Sequence, residues 1–352
     1  MLLFLSIFIL VYFGIHLFVF WLVFYWLGYS LNFMSIIIMI VLAFSYPLAV
    51  MAEQIVNNRY TKSIYAIVTT WFGLIFLALS WTIGFIILRM LITIPNTFTG
   101  LSIIVLSVCS ALIGLKNARK IQTNNIKIKI KHLKKKIRIV HLSDLHLGSM
   151  LGDEFLNSVV ERTNSLNPDV VVITGDIIDG SSPLTREMLM PLNKLNAPSF
   201  YVIGNHDIYE GVSKVLNLVK KTKVNVLYNK VKMIEGIQII GLEYTENKNY
   251  CEKMLNKLNW RREIPSVLLY HSPVPLKLLE KYKLDLHLAG HTHGGQIFPF
   301  NLFVKLFFRN MKGFYEYKGS KQYVSIGTGF WGPPMRLTSR NEIVCLDLNS
   351  KK

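Results

Sequence analysis

Five clusters of carboxylates, imidazoles and one amide lie along the C-terminal two thirds of the chain, each at or just beyond a short apolar run. In chain order they are Asp144-Leu145-His146, Gly175-Asp176-Ile177-Ile178-Asp179, Gly204-Asn205-His206-Asp207, Tyr270-His271-Ser272-Pro273 and Gly290-His291-Thr292-His293-Gly294. Asp144 and His146 are two apart on an extended segment, so alternation points both the same way and both can grip one ion. His291 and His293 share that spacing, and a turn there could offer one imidazole to each of two ions. A lone carboxylate after a buried strand, such as Asp176, can bridge two cations held about 3.5–4 Å apart. Nitrogen and oxygen donors without thiolate suit Mn²⁺, Fe or Zn²⁺. Cys109, Cys251 and Cys345 form no close pair and no CxxC, so neither a thiolate site nor a disulfide framework is expected. No GxSxG elbow and no cysteine beside a histidine offers a protein nucleophile.

The elements that must carry these clusters alternate. Ile126–Lys131 interleaves Ile with Lys, the period of a strand with one wet face, and Ile137–Leu142 is a second strand. Phe155–Leu166 has helical spacing, Val170–Thr174 is a β-branched run of the kind buried on both faces, Leu184–Leu195 reads as helix, and Ser199–Ile203 as strand. Further strands are expected at Ile237–Leu242, Val267–Tyr270, Leu284–Leu288, Tyr323–Ile326 and Glu342–Leu348. Strand and helix in alternation predict an α/β domain, and polar clusters at strand ends fit the rule that ligands bind there.

The order and content of the five clusters resemble the calcineurin-like metallophosphoesterase family, in its membrane-anchored bacterial branch, over roughly Ile137 to Leu348. The resemblance implies a four-layer α/β/β/α sandwich and two divalent transition-metal ions, with manganese favoured. It assigns one ion to Asp144, His146, Asp176 and His293, and the other to Asp176, Asn205, His271 and His291, with Asp176 as the bridge. Two such cations depress the pKa of water enough to supply the nucleophile. By the same resemblance His206 reaches the phosphate as proton donor or charge stabiliser, and Asp207 orients His206. Asp179 is either a supporting partner or a turn residue. Arg336 is a candidate bidentate phosphate donor, and Gln296, after the last ligand, a candidate pocket residue. Hydrolysis of a phosphodiester, phosphomonoester or pyrophosphate follows, with a lipid-linked substrate favoured.

The N-terminal third has a different composition. Up to about Leu115 its charged residues are Glu53, Arg59, Lys62 and Arg89. Leu2–Leu27, Phe33–Met51, roughly Ile64–Ile92, and Leu101–Leu115 (Ile94–Leu115 if Pro95 begins the helix) are apolar runs near the length of about 20 residues that a spanning helix needs. A first region, 1–115, is thus expected to be an all-α bundle of four transmembrane helices; 116–136 a basic juxtamembrane linker with the first strand; and 137–352 the catalytic domain. Arg59 and Lys62 mark the second loop, and Lys116 to Arg138 is rich in Lys and Arg without an acid, which puts both ends and the catalytic domain in the cytoplasm. Arg89 is the one misfit, able to snorkel from a helix end. The net charge of +18 is read as membrane retention, since nothing else suggests nucleic-acid recognition, and no obligate protein partner is evident. A membrane sensor or transporter with a regulatory phosphoesterase domain is the alternative, and it would need polar residues within the spans beyond His16, Glu53 and Arg89. The segment Ile297–Arg309, unusually aromatic and directly after the last histidines, is either a buried loop or core helix, or an apolar lip that meets a bilayer or an acyl chain, with Lys305, Arg309 and Lys312 facing anionic headgroups.

Overall fold

A computed structural model describes residues 2–350. The chain divides into a helical unit, Met1–Asn117 with Gly332–Leu337, and a sheet unit, Ala118–Trp331 with Thr338–Lys352.

The helical unit contains α1 (Leu2–Leu27), α2 (Phe33–Val56), α3 (Arg59–Arg89) and α4 (Asn96–Ala118), all long and apolar enough to cross a membrane. α3 starts at Arg59, earlier than its apolar run, because the Asn58 side chain accepts from the N–H groups of Tyr60 and Thr61 and so caps charged residues into the first turn. α2 likewise continues past Met51 through Glu53 and Gln54. Arg89 is held locally: it donates to the Ile94 carbonyl at 2.6 Å, to Thr99 Oγ1 at 2.9 Å and to Asn96 Oδ1 at 2.8 Å, tying the end of α3 to the start of α4. His16 also has structural partners, with Nδ1 2.8 Å from the Tyr12 carbonyl and Nε2 accepting from Trp71 at 3.0 Å.

The sheet unit is built from β1 (Ile121–Ile130), β2 (Ile137–Leu142), β3 (Val170–Thr174), β4 (Ser199–Val202), β5 (Asn225–Val226), β6 (Lys230–Ile234), β7 (Ile237–Gly241), β8 (Ser266–Leu269), β9 (Leu286–Ala289), β10 (Gly313–Tyr317), β11 (Ser320–Val324) and β12 (Asn341–Ser350). They form two six-stranded sheets, ordered β1-β12-β2-β3-β4-β5 and β10-β11-β9-β8-β7-β6. Alternation explains the layering. Val170 and Val172 of β3 face Val267, Leu269, Leu286 and Leu288 of the second sheet in one shared core. Val171 and Ile173 point the other way, onto Leu156, Val159 and Val160 of the Asp153–Ser165 helix. On the far side, Ile240, Leu268 and Tyr270 pack on Cys251, Leu255, Leu279 and Tyr282 from two further helices. The result is a four-layer α/β/β/α sandwich.

Some elements differ from expectation. β1 begins at Ile121, since pairing with β12 uses backbone groups and tolerates the polar side chains of Gln122 to Asn125. The stretch expected as one helix over Leu184–Leu195 is a single turn, Arg186–Leu189, followed by a 3-10 segment, Met190–Lys194, because Pro191 lacks the N–H that an α-helix would bond. The basic stretch is partly neutralised: Arg138 makes two bonds to Asp347, Lys136 lies 3.1 Å from it, and Lys135 pairs with Glu235.

Candidate metal centre

β2, β3, β4, β8 and β9 end on the same side of the sandwich, and the loop after each carries one of the five clusters. Close approach of these loops demands glycine at two points. A Cβ on Gly204 would lie 2.2 Å from Asp176 Oδ1, and one on Gly290 2.1 Å from Asp144 Oδ2. The ligand candidates themselves are in an uncommon conformation: Asp144, His146, Asp176, His291 and His293 all have positive φ, between 47° and 74°. Non-glycine residues avoid this region, at a cost on the order of 1–3 kcal/mol each. Such strain persists only where surrounding contacts over-determine it.

Those contacts are visible. Asp144 accepts from Ser143 Oγ at 2.5 Å and from the His291 N–H at 3.0 Å. Asp176 Oδ1 accepts from the His206 N–H at 2.8 Å. That leaves Asp176 Oδ2 between two imidazoles, 3.2 Å from His271 Nε2 and 3.8 Å from His146 Nε2. On one side of it, His146 Nε2 is 3.0 Å from His293 Nε2, which is 3.5 Å from Asp144 Oδ1. On the other side, His271 Nε2 and His291 Nδ1 are 3.2 Å apart, and both lie near Asn205 Oδ1, at 3.0 and 2.8 Å. The residues expected as ligands therefore gather into two groups that share Asp176.

The donor set fits divalent cations. Two imidazole nitrogens face one another this closely when they share a proton or when both direct lone pairs at one ion. Nitrogens each about 2.1 Å from a common ion, at roughly 90–110°, lie about 3.0–3.4 Å from each other. His271 is also pinned in the right tautomer: Nδ1 donates to the Thr174 carbonyl at 2.7 Å, leaving the Nε2 lone pair for a ligand.

Charge follows burial. Burial raises the Asp144 carboxyl to about 6. It would raise Asp176 as well, but the neighbouring His271 more than offsets this and holds Asp176 below the usual carboxylate range. Burial alone would lower His271, yet Asp176 beside it lifts the imidazole to about 9. His291 drops to about 3 through burial and the His271 charge. Histidines inside the strands serve the scaffold: His141 bonds Thr174 Oγ1 at 2.7 Å, and His287 lies between the Tyr270 carbonyl and Gln322.

Three of the site candidates have structural partners of their own. Asp207 turns to main-chain donors. Its carboxylate accepts from the main-chain N–H groups of Gly204 (2.8 Å), Asp176 (2.9 Å) and Ile177 (3.0 Å), clamping the loops after β3 and β4 together. The His206 ring meets the main-chain carbonyl of Asp179. Gln296 is tied to Trp331: its amide donates to the Trp331 carbonyl at 2.7 Å and accepts from the Trp331 N–H at 3.2 Å. Arg336 groups with the helical unit, its N–H donating to the Gly114 carbonyl and its own carbonyl accepting from Asn117.

Residues the sequence left unassigned now border the centre. The Tyr244 ring lies 5.6 Å from His271 and 5.5 Å from His291, and burial lifts its hydroxyl to about 12, so it remains a donor. Tyr209 and Trp331 flank His206, with ring separations of 5.5 and 5.6 Å. No short motif marks Tyr244 and Trp331, which come from loops far apart in sequence, while Tyr209 follows His206 on the Asn205–Glu210 helix.

The clamp makes a prediction. Asp207→Asn replaces one acceptor oxygen by an amide that opposes an N–H, at a cost of about 1–3 kcal/mol for each donor left unmet. A lowered melting temperature together with reduced metal retention is expected for the full-length chain. Unchanged values of both would mean that Asp207 is not what holds these loops.

The profile of the Calcineurin-like phosphoesterase family matches residues 137–295. An uncharacterized metallophosphoesterase of Campylobacter jejuni is 34% identical over 336 residues, 91% of this chain and 90% of that protein. A metallophosphoesterase of Helicobacter pylori J99 is 38% identical over 229 residues, 62% of this chain and 61% of that protein. The transmembrane protein with metallophosphoesterase domain of Bos taurus is 34% identical over 238 residues, 61% of this chain and 53% of that protein. Among solved structures, the NAD nucleotidase of Haemophilus influenzae aligns with a TM-score of 0.36 and 18% identity, over 55% of this chain and 51% of that one.

Proposed function

Because this chain belongs to the calcineurin-like phosphoesterase family, we propose that it is a membrane-anchored, two-metal phosphoesterase, favouring manganese, that hydrolyses a phosphate ester or pyrophosphate bond in a lipid-linked substrate. The observation that supports it most is the placement of Asp176 Oδ2 between His271 and His146, each the start of a separate donor group. When bound, two divalent ions polarise the phosphoryl group and lower the pKa of water. Asp144, His146 and His293 would hold one ion, Asn205, His271 and His291 the other, and Asp176 would contribute to both. His206 faces the phosphoryl group from beside Asn205, its ring steadied by the Asp179 carbonyl. Tyr244, from above His271 and His291, is placed to donate to a phosphoryl oxygen. Gln296 positions Trp331, and Arg336 belongs with the helices.

The test is an activity screen of the purified full-length protein with Mn²⁺ across lipid pyrophosphates, nucleotides and simple phosphodiesters. Turnover of none, by protein carrying its metals, would sink the hydrolase reading. The sensor or transporter alternative leans on Glu53 alone, buried in α2 with no hydrogen bond to either carboxylate oxygen among the described residues. His16 and Arg89 already have structural partners.

Orientation follows from the basic loops. A reporter fused after Pro95 is expected to read outside, and one fused after Lys120 inside. Protease digestion of the sheet unit in intact cells would overturn the cytoplasmic assignment.

A further inference from the structure

The helix Phe300–Phe307 contains no buried residue, although six of its eight side chains are apolar. Leu306 and Phe307 are 81% and 82% exposed, and Phe298, Phe300, Leu302 and Phe303 are also exposed. This is not a loosely attached segment. A Cβ on Gly295, in the metal loop, would lie 2.2 Å from the Asn301 Cα, so the first turn is pressed onto that loop. At the other end, the Phe308 ring meets His291 edge-on at 5.2 Å. A firmly seated helix that leaves its large apolar side chains in water is unfavourable unless another apolar phase covers them.

Charge and connectivity select the covering phase. From His291 to Gly313 there is no acidic residue, while Lys305, Arg309 and Lys312 are basic. Apolar side chains interleaved with lysine and arginine match the boundary between acyl chains and anionic headgroups. Only Arg119 and Lys120 separate α4 from β1, so the sheet unit is tethered to whichever membrane face α4 reaches.

We propose that Phe300–Phe307 is an interfacial helix that sinks its Leu and Phe side chains into an anionic bilayer and holds the metal centre at headgroup level. This deepens the phosphoesterase reading and rests on it for one point only, the substrate class: a phosphate presented by a lipid in the plane of the membrane. A protein surface, such as a second copy of this chain, is the competing occupant.

The helix can be tested apart from catalysis. Full-length protein carrying Cys109→Ser and a nitroxide at Phe307→Cys is placed in nanodiscs of phosphatidylcholine, with or without phosphatidylglycerol. A label at Glu154→Cys, on an exposed helix of the sheet unit, is the control. The expected result is several-fold greater accessibility to oxygen than to a water-soluble nickel chelate at position 307, with the opposite ranking at 154, and a larger contrast when phosphatidylglycerol is present. Equal nickel access at both positions would overturn the proposal. So would a label at 307 reached by neither quencher in a dimeric particle, in favour of the second copy. The double variant Phe303→Ser, Phe307→Ser is expected to keep its metal content, melting temperature and hydrolysis of bis(p-nitrophenyl) phosphate; loss of all three would show these residues to be structural. Absence of hydrolysis in the parent protein would count against the phosphoesterase reading, while the nitroxide depth would still decide the helix.

Discussion

Asp176→Asn is expected to strip metal from both groups and to lower hydrolysis by more than the roughly 10–100-fold typical of losing a supporting partner. The reason lies in the two oxygens. Oδ1 is occupied by the His206 N–H at 2.8 Å, and Oδ2 alone faces His271 and His146. An asparagine that keeps its oxygen on the His206 N–H turns an NH₂ toward both donor groups. That amide repels a cation and supplies no charge to offset it. Elemental analysis of the full-length protein beside the unsubstituted chain is the measurement. Full metal content in the variant would remove Asp176 from its bridging role, whatever the activity.

The comparison with Asp207→Asn separates ligand from scaffold. Both carboxylates are buried, and neither can be told from the other by residue type. Asp207 faces three N–H groups and Asp176 faces imidazoles, so Asp207→Asn costs mainly stability while Asp176→Asn costs mainly metal.

This difference also marks the limit of what the sequence reveals. The ligand candidates were legible because Asp, His and Asn at the ends of apolar strands have few structural reasons to gather. Layering was legible because β3 is apolar on both faces, which requires cover on both sides. The role of Asp207 was not legible, because which way its carboxylate turns depends on the backbone of the loop after β3, thirty residues away in the chain. The positive φ at Asp144, His146, Asp176, His291 and His293 leaves no trace in composition, since the glycines that usually announce it are absent at those positions. Tyr244 went unassigned for a related reason: Gly241-Leu242-Glu243-Tyr244, at the end of β7, matches no residue of the family pattern, yet Tyr244 stands over two ligand candidates. The Ile297–Arg309 segment allowed two readings, and exposure argues against one of them. A core helix would bury its phenylalanines, and Phe303 and Phe307 are exposed.

His206→Ala is expected to lower turnover by about 10²–10⁴-fold, the range for a group that donates a hydrogen bond or proton in the transition state, while metal content stays near normal. Metal should survive because the contribution of residue 206 to Asp176 comes from its main-chain N–H, which alanine keeps. The rival is that the imidazole is itself a ligand, since it lies in one group with His146 and Asp176. Parallel loss of metal and activity would establish that rival. A second substitution distinguishes two ways of acting on substrate. Burial lowers the imidazole's pKa, although Asp176 and the Asp179 carbonyl pull against it. If that ring acts as a fixed N–H donor to the phosphoryl group, His206→Gln retains a donor and should recover part of the activity that His206→Ala loses. If it must deliver a proton to the leaving oxygen, glutamine cannot replace it, and the two variants should be equally slow on a substrate with a poor leaving group. They should then recover together on a substrate whose leaving group, such as p-nitrophenolate, departs without a proton.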